Sequence, residues 1–335
     1  MIAPWLFLGT FALSALLTGV VRRVALRRGV LDVPNERSSH RVPTARGGGI
    51  AIVASCLVGW LVDYLAGGAT AELALALSGG GLLVAGVGLR DDYRSLTPVI
   101  RLLAHFAAAS WAVYFLGGMP DLQLGATTYH LGLAGSALAV LGVVWVVNLF
   151  NFMDGIDGIA ASEAVFVAAA GFFVGEWATG GGHGLQMALV VAASSLGFLC
   201  WNWPPARIFM GDVGSGFLGF AIAVLAIAAA REYPAAILVW LVLGALFFVD
   251  ATVTLLWRLA RRERVHQAHR SHAYQHLAVR QGHLRVTLGS IAMNVLVLLP
   301  CAFWIASKPE SGAAVSGGVM LGLVFLATLL NAGRR

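Results

Sequence analysis

Apolar stretches about twenty residues long recur from one end of this chain to the other, and they limit its fold more than any other feature. A helix needs about twenty consecutive apolar residues to cross a bilayer core about 30 Å thick. The 335 residues are 59% hydrophobic and only 11% charged, where a soluble domain carries about a quarter charged residues. An all-α polytopic membrane protein is therefore expected. Strand-like alternation does not dominate, which sets a membrane β-barrel aside. Eleven spans are predicted, at 2–21, 48–66, 71–89, 99–117, 131–150, 159–177, 185–203, 214–230, 234–257, 286–306 and 314–332, making one integral-membrane domain over 1–335. The first run has no basic lead-in and no small-residue cleavage pattern, so it reads as a membrane helix rather than a removed leader. Cys56, Cys200 and Cys301 are odd in number and widely spaced, so they read as core residues.

Basic residues orient the spans. With the N-terminus outside, twenty of the twenty-two Lys and Arg fall on the inner side, and only Arg231 and Lys308 fall on the other. The C-terminus is then cytoplasmic. The net charge of +6 is explained by topology and not by nucleic acid. Asp91, Asp92, Asp154, Asp157 and Asp212 map to cytoplasmic helix ends or short cytoplasmic loops. Asp63, Glu72, Asp121, Glu176, Glu232 and Glu310 scatter near the outer side and read as solvated charges. Asp250 lies inside an apolar run and needs a partner or water.

At the end of the fifth span, Asn148, Asn151, Asp154 and Asp157 recur every third residue in NLFNFMDGIDG. That spacing stripes one side of a helix. Gly155 and Gly158 then loosen the backbone. Such a stack of amides and carboxylates suits an ion or phosphate; a plain turn at the membrane surface is the simpler reading.

Other cytoplasmic loops carry similar chemistry. The stretch 31–49 is basic and ends in three glycines, without the Lys-Ser/Thr of a phosphate-binding P-loop. Adjacent Asp91 and Asp92 repel, so one needs a compensating cation or holds a proton more tightly. That suits a metal site or a proton acceptor, with a helix-capping pair as the plainer role. In NWPPARIFMGDVGSG, Asp212 sits in a Gly-bounded turn where it can face a cation, and Phe209 can stack on a flat ring such as a base. The loop 261–285 holds His266, His269, His272, His276 and His283. His269, His272 and His276, at i, i+3 and i+7, read as one face of a helix. No cysteine or Glu-rich motif accompanies them, so a diphosphate is favoured over zinc, with Arg270 as the fixed charge.

Five separated motifs, PNERSSHRVPTARGGG, DDYRS with RLLAHF, NLFNFMDGIDG, NWPPARIFMGDVGSG and AHRSHAYQH, together resemble the polyprenyl-phosphate N-acetylhexosamine-1-phosphate transferases. That superfamily includes the peptidoglycan phospho-N-acetylmuramoyl-pentapeptide transferase and enzymes that start O-antigen and enterobacterial common antigen synthesis. The resemblance covers nearly the whole chain. It implies transfer of a sugar 1-phosphate from a UDP-N-acetylhexosamine to a polyprenyl phosphate, releasing UMP, with Mg²⁺ as cofactor and Mn²⁺ as a substitute. It implies catalytic roles for Asp91, Asp92, His269 and His272 and metal ligation by Asp212 and Asn151. It further implies nucleotide contacts from Asp154, Gly155, Ile156, Asp157, Asn202 and Phe209, beside the Asn148 of the same stripe. The partners are the nucleotide sugar, the lipid and the bilayer of the inner (plasma) membrane, with a homodimer as a further expectation.

Two departures favour an O-antigen or capsule type of enzyme using GlcNAc, FucNAc or QuiNAc. Arg94, Ser95 and Leu96 stand where the peptidoglycan enzyme has a Lys, leaving Arg94 or Arg101 to take its place, and His-Arg-Ser-His replaces a run of histidines. Asp91 or Asp92 would act as base for direct attack; a covalent aspartyl intermediate is the alternative. A break near Gly244 and Asp250 would open a groove for the lipid tail. Two rival readings are an ion-coupled transporter, which places ionisable groups at the midplane, and an intramembrane aspartyl protease, which needs two facing mid-span Asp.

Overall fold

A computed structural model describes residues 4–34, 42–124, 127–180, 185–233, 235–263 and 269–333. His266 and the middle of the first basic loop lie outside the described residues. All eleven apolar runs are helical. They form α1 (Pro4–Arg28), α2 (Gly49–Leu65), α3 (Ala71–Tyr93), α4 (Pro98–Phe115), α5 (Gly132–Met153), α6 (Ile159–Thr179), α7 (Gln186–Asn202) and α8 (Asp212–Glu232). Then come α9 (Ala236–Leu243), α10 (Ala245–Ala260), the short amphipathic α11 (Ala273–Gln281), α12 (His283–Met293), α13 (Leu299–Ser307) and α14 (Gly312–Leu329).

Among the described residues, eight helices are long and apolar enough to cross a membrane, counting α12 and α13 as one through the π-turns Asn294–Leu298. The bent pair α9–α10 makes a ninth. The helices α2 and α7 have 17 residues each, about 26 Å at ~1.5 Å per residue, the short end of what spans a bilayer. The chain is thus an all-α polytopic membrane protein. The predicted span 234–257 is broken at Gly244, where the two halves meet at 71°.

Helix α8 is the centre of the bundle. In its apolar window 89% of residues are buried, against 22% in α1 and α14. It packs against α3, α5, α2, α9 and α6. Lipid offers no hydrophobic drive for helices to associate, so contact depends on small residues and close fit. The Gly79-Gly80-Gly81 run of α3 supplies this. An added methyl would meet Trp111 of α4 at Gly79, Phe220 at Gly80 and Phe217 at Gly81, all within 3 Å. Near the end of α3, Gly88 lets the backbone of Asp212 approach, since a Cβ there would lie 2.5 Å from its carbonyl oxygen. That contact brings the start of α8 to the acidic end of α3.

Strands are few and short. β1 (Leu31–Asp32) pairs antiparallel with β2 (Thr44–Arg46), and β2 pairs parallel with β5 (Ile208–Phe209). This patch ties the α1–α2 loop to the α7–α8 loop and sets Arg46 opposite Phe209. A hairpin of β3 (Leu122–Leu124) and β4 (Thr127–Tyr129) links α4 to α5.

Two sequence expectations change. Asp63, read as a solvated charge, is buried at the end of α2, because the tight turn before α3 folds Gly68 onto its carboxylate. Cys200, read as a core residue, is exposed on α7, while Cys56 is buried.

Candidate active site

The site is assembled at one end of the bundle from the ends of α3 and α5, the starts of α4 and α8, and β2. Asp91 and Asp92 occupy the last turn of α3 but face different partners. Asp92 accepts the backbone N–H of Asp212 at 3.0 Å and of Val213 at 3.2 Å. It therefore caps α8 from a neighbouring helix, satisfying two of the donors a helix start leaves unpaired. Gly211 precedes them with φ +79°, in space that a Cβ would contest with the Asp92 carboxylate. Arg46 lies 2.7 Å from Asp92 Oδ1 and 3.5 Å from Asp212 Oδ1.

Asp91 accepts the N–H of Leu96 and pairs with Arg101 at 2.8 Å. Arg101 also reaches Asp212 at 3.6 Å. The Asp91 and Asp212 carboxyls stand within hydrogen-bonding reach of each other. Of the two candidate replacements for the missing lysine, Arg101 enters the cluster and Arg94 is exposed.

Asp154 follows the last turn of α5. Burial, then the carboxylates of Asp212, Asp92 and Asp157, hold it well above the usual carboxylate range, with Arg46 opposing. One turn back, Asn151 Oδ1 accepts the Ser215 hydroxyl at 3.1 Å, which fixes the amide beside the first turn of α8. Asn148 lies another turn deeper. Its amide donates to Val144 O at 2.7 Å and meets buried His105 of α4 at 3.4 Å.

The remaining turn residues knit loops together. Asp157 accepts the N–H of Ala206 at 3.0 Å and faces His283 Nδ1 at 3.2 Å. Buried Asn202 accepts the N–H of Gly158 and donates to Ile208 O, both at 2.9 Å. Ile156 is buried. Gly155 packs against the Tyr274 hydroxyl, and Phe209 is half-buried in β5.

The histidine segment is not helical where it was expected to be. α11 starts at Ala273 with His272 as its N-cap residue, so His269 and His272 precede the helix and only His276 lies on it. His269 stacks on His272 with ring centres 4.9 Å apart. Partial burial, then His272 and Arg258, push His269 down to about 4, so its ring is neutral at pH 7. His272 is buried against Phe152 and Asp250, whereas Arg270 is exposed.

Arg46 was missed as a site residue, although it immediately precedes the glycine run; its partners depend on a strand register no local pattern reveals. Tyr274 and Ser215 lie inside the quoted motifs AHRSHAYQH and NWPPARIFMGDVGSG, but nothing in the pattern singled them out.

Four carboxyl groups, Asp91, Asp92, Asp154 and Asp212, face two guanidiniums, Arg46 and Arg101, so acids outnumber arginines here two to one. Together with the Asn151 oxygen, this all-oxygen donor set fits a hard divalent cation such as Mg²⁺. Among the described residues no three His, Cys, Asp or Glu side chains are placed to hold one ion together, so the ion would draw its remaining ligands from substrate and water.

Comparison with known proteins points the same way. Residues 74–230 match the profile of Glycosyl transferase family 4. The chain is 30% identical over 270 residues to a Bacillus subtilis protein described as "Probable undecaprenyl-phosphate N-acetylglucosaminyl 1-phosphate transferase", covering 78% of this chain and 73% of the relative. It is 32% identical over 353 residues to the decaprenyl-phosphate N-acetylglucosaminephosphotransferase of Mycobacterium tuberculosis, covering 94% and 86%. It is also 32% identical over 318 residues to a phospho-N-acetylmuramoyl-pentapeptide-transferase of a Mycobacterium species, covering 79% and 85%.

Proposed function

Because the chain belongs to glycosyl transferase family 4, we propose that it moves N-acetylhexosamine 1-phosphate from a UDP-sugar to a polyprenyl phosphate in the inner membrane and releases UMP. The observation that carries this reading is the convergence of acids and arginines from α3, α4, α5, α8 and β2 at one membrane end. Two anionic substrates meet in this reaction, and fixed positive groups beside carboxylates are what such a meeting needs.

In the proposed step an oxygen of the lipid phosphate attacks the β-phosphorus of the nucleotide sugar. The bond from that phosphorus to the bridging oxygen breaks, and UMP leaves with the electron pair. A phosphate monoester is already largely ionised at pH 7, so little proton removal is needed. Asp91 or Asp92 takes any residual proton; each already accepts a backbone N–H and pairs with an arginine, Asp91 with Arg101 and Asp92 with Arg46. Arg101 and Arg46 hold phosphate charge. His269, being neutral, donates or accepts a hydrogen bond, and Arg270 supplies the charge on its loop. Asp212 and Asn151, with Asp91 beside them, would hold Mg²⁺. When bound, that ion would neutralise the diphosphate and the leaving UMP.

The lipid tail has a place in this reading. The break at Gly244 turns α10 away from α9, and a cavity of about 320 Å³ opens between α10, α11, α12 and α14. Leu246, Phe247, Leu277 and Leu326 line it, and Arg285 stands on its wall. We assign it the first isoprene units of the acceptor.

The closest test is UMP release by purified protein supplied with undecaprenyl phosphate and each of UDP-GlcNAc, UDP-FucNAc and UDP-QuiNAc, with and without Mg²⁺. Release from one donor, dependent on lipid and metal, is expected, in keeping with a first membrane step of O-antigen or other surface-polysaccharide synthesis. No release from any donor by folded protein would contradict the reading. A trapped covalent adduct on an aspartate would replace direct attack with a two-step route.

A further inference from the structure

Asp250 is a carboxylate inside an apolar helix; it and Tyr274 stand on the wall of the cavity assigned to the lipid tail, and the step proposed above gives neither a role. The Asp250 side chain is almost fully enclosed. One oxygen accepts the N–H of Ala273 at 2.9 Å and the other that of Tyr274 at 3.0 Å. Thr254 donates to Oδ1 at 3.2 Å, and His272 Nδ1 lies 3.4 Å from the same atom. A buried carboxylate this well supplied with donors is held in one place. It fixes the first turn of α11 from outside that helix.

The next link is Tyr274. Its hydroxyl donates to the carbonyl of Phe152 at 2.9 Å. Phe152 is in the last turn of α5, where carbonyls have no partner within their own helix. Asn151 precedes it and Asp154 to Asp157 follow it. The same hydroxyl fills the space beside Gly155, so that a Cβ there would lie 2.2 Å away. Only glycine fits at that point of the turn, and the cause is the tyrosine. An unbroken line of hydrogen bonds thus runs from Asp250 through Tyr274 to the backbone of the 151–158 turn.

We propose that Asp250 is a positioning residue for the turn that receives the nucleotide sugar, acting through α11 and the Tyr274 hydroxyl. It touches no reacting atom. It sets the height of Tyr274, and Tyr274 sets where the α5 helix ends and where Asp154 and Gly155 lie. This rests on the transferase reading for its kinetic consequence, while the structural link stands apart from it.

The test is a double-mutant cycle in the full-length protein. Asp250→Asn, Tyr274→Phe and the pair are compared for UMP release from the active UDP-sugar with undecaprenyl phosphate. Hydrogen–deuterium exchange is followed over 148–160 and 270–281. Thr254→Val is the control, since it removes a hydrogen bond to Asp250 without touching α11. Each single change should raise the KM for the UDP-sugar about tenfold, as expected for one buried hydrogen bond lost, with kcat changing less. The pair should be no worse than the poorer single, and exchange over 152–158 should rise in both. Thr254→Val should leave KM unchanged.

Multiplying effects, an unchanged KM with only lower thermal stability, or an equal KM rise in Thr254→Val would overturn the proposal. If Asp250→Asn does not fold, Tyr274→Phe decides through the same KM and exchange readouts. If wild-type protein releases no UMP from any donor, the transferase reading falls and exchange alone decides. Unchanged protection of 152–158 in the variants would then refute the link, and a shared loss would support it.

Discussion

Two helices in this protein begin on a carboxylate borrowed from another helix. Asp92 of α3 caps α8 and Asp250 of α10 caps α11. In each case one oxygen takes the first N–H and the other takes the next, at 2.9 to 3.2 Å. The surroundings differ. Asp92 pairs with the half-exposed Arg46 and stands among Asp91, Asp154 and Asp212, where acids outnumber arginines. Asp250 is closed in by Thr254 and His272, at 3.2 and 3.4 Å from its Oδ1. The same local device serves two purposes: at α8 it leaves charge facing an opening, and at α11 it holds a support.

The contrast breaks most easily at the partners. Arg46→Ala leaves Asp92, with its side chain 6% exposed, without its cation, which should cost about 2–3 kcal/mol of stability, less than for a fully buried pair because Arg46 is 35% exposed. The matching change at the other cap, His272→Gln, should cost about 1 kcal/mol, because the contact it removes is long and two N–H bonds remain. Denaturant unfolding in detergent measures both, and equal losses would erase the distinction. Asp92→Asn should fall between the two. One amide oxygen serves a single N–H, so about 2 kcal/mol should be lost, with turnover falling as the Asp212 backbone loosens. Unchanged turnover in this variant would mean that the cap does not position Asp212.

A pH dependence is expected on the α11 side. His269 is held at about 4 in the folded protein, below its ordinary value of 6.5. The unfolded chain therefore binds more protons in that window. The stabilisation is fully present above pH 6.5 and is lost as the pH falls toward 4. The advantage in Tm of wild type over His269→Gln should shrink over that range, and a widening gap would contradict the assignment.

How far the sequence led depends on which forces were local. The spans were legible because a bilayer imposes a length on every apolar run, whatever packs beside it. Asp91, Asp92, Asp154, Asp157 and Asp212 were legible because carboxylates at the ends of such runs need a reason. Their division of labour was not. Nothing in the dipeptide Asp91-Asp92 says that one acid turns to α8 and the other to Arg101; that follows from Gly88 admitting the α8 backbone. Arg46 was hidden because a three-residue strand carries no periodicity to read. The histidines were misplaced by assuming a helix through 269–276, when His272 ends the loop and α11 begins only after it, at Ala273. Asp250 was seen to need a partner, and the partner arrived from a loop more than twenty residues away.

The most direct measurement is UMP release by folded Asp212→Asn protein beside wild type, with the same UDP-sugar, undecaprenyl phosphate and Mg²⁺. Asp212 lies where the two arginines and the other acids meet, so its loss should lower turnover by at least about 10²–10³-fold while the unfolding transition stays within a few degrees. Near-normal release by this variant would show that the acidic cluster at the start of α8 is not where the reaction is carried out.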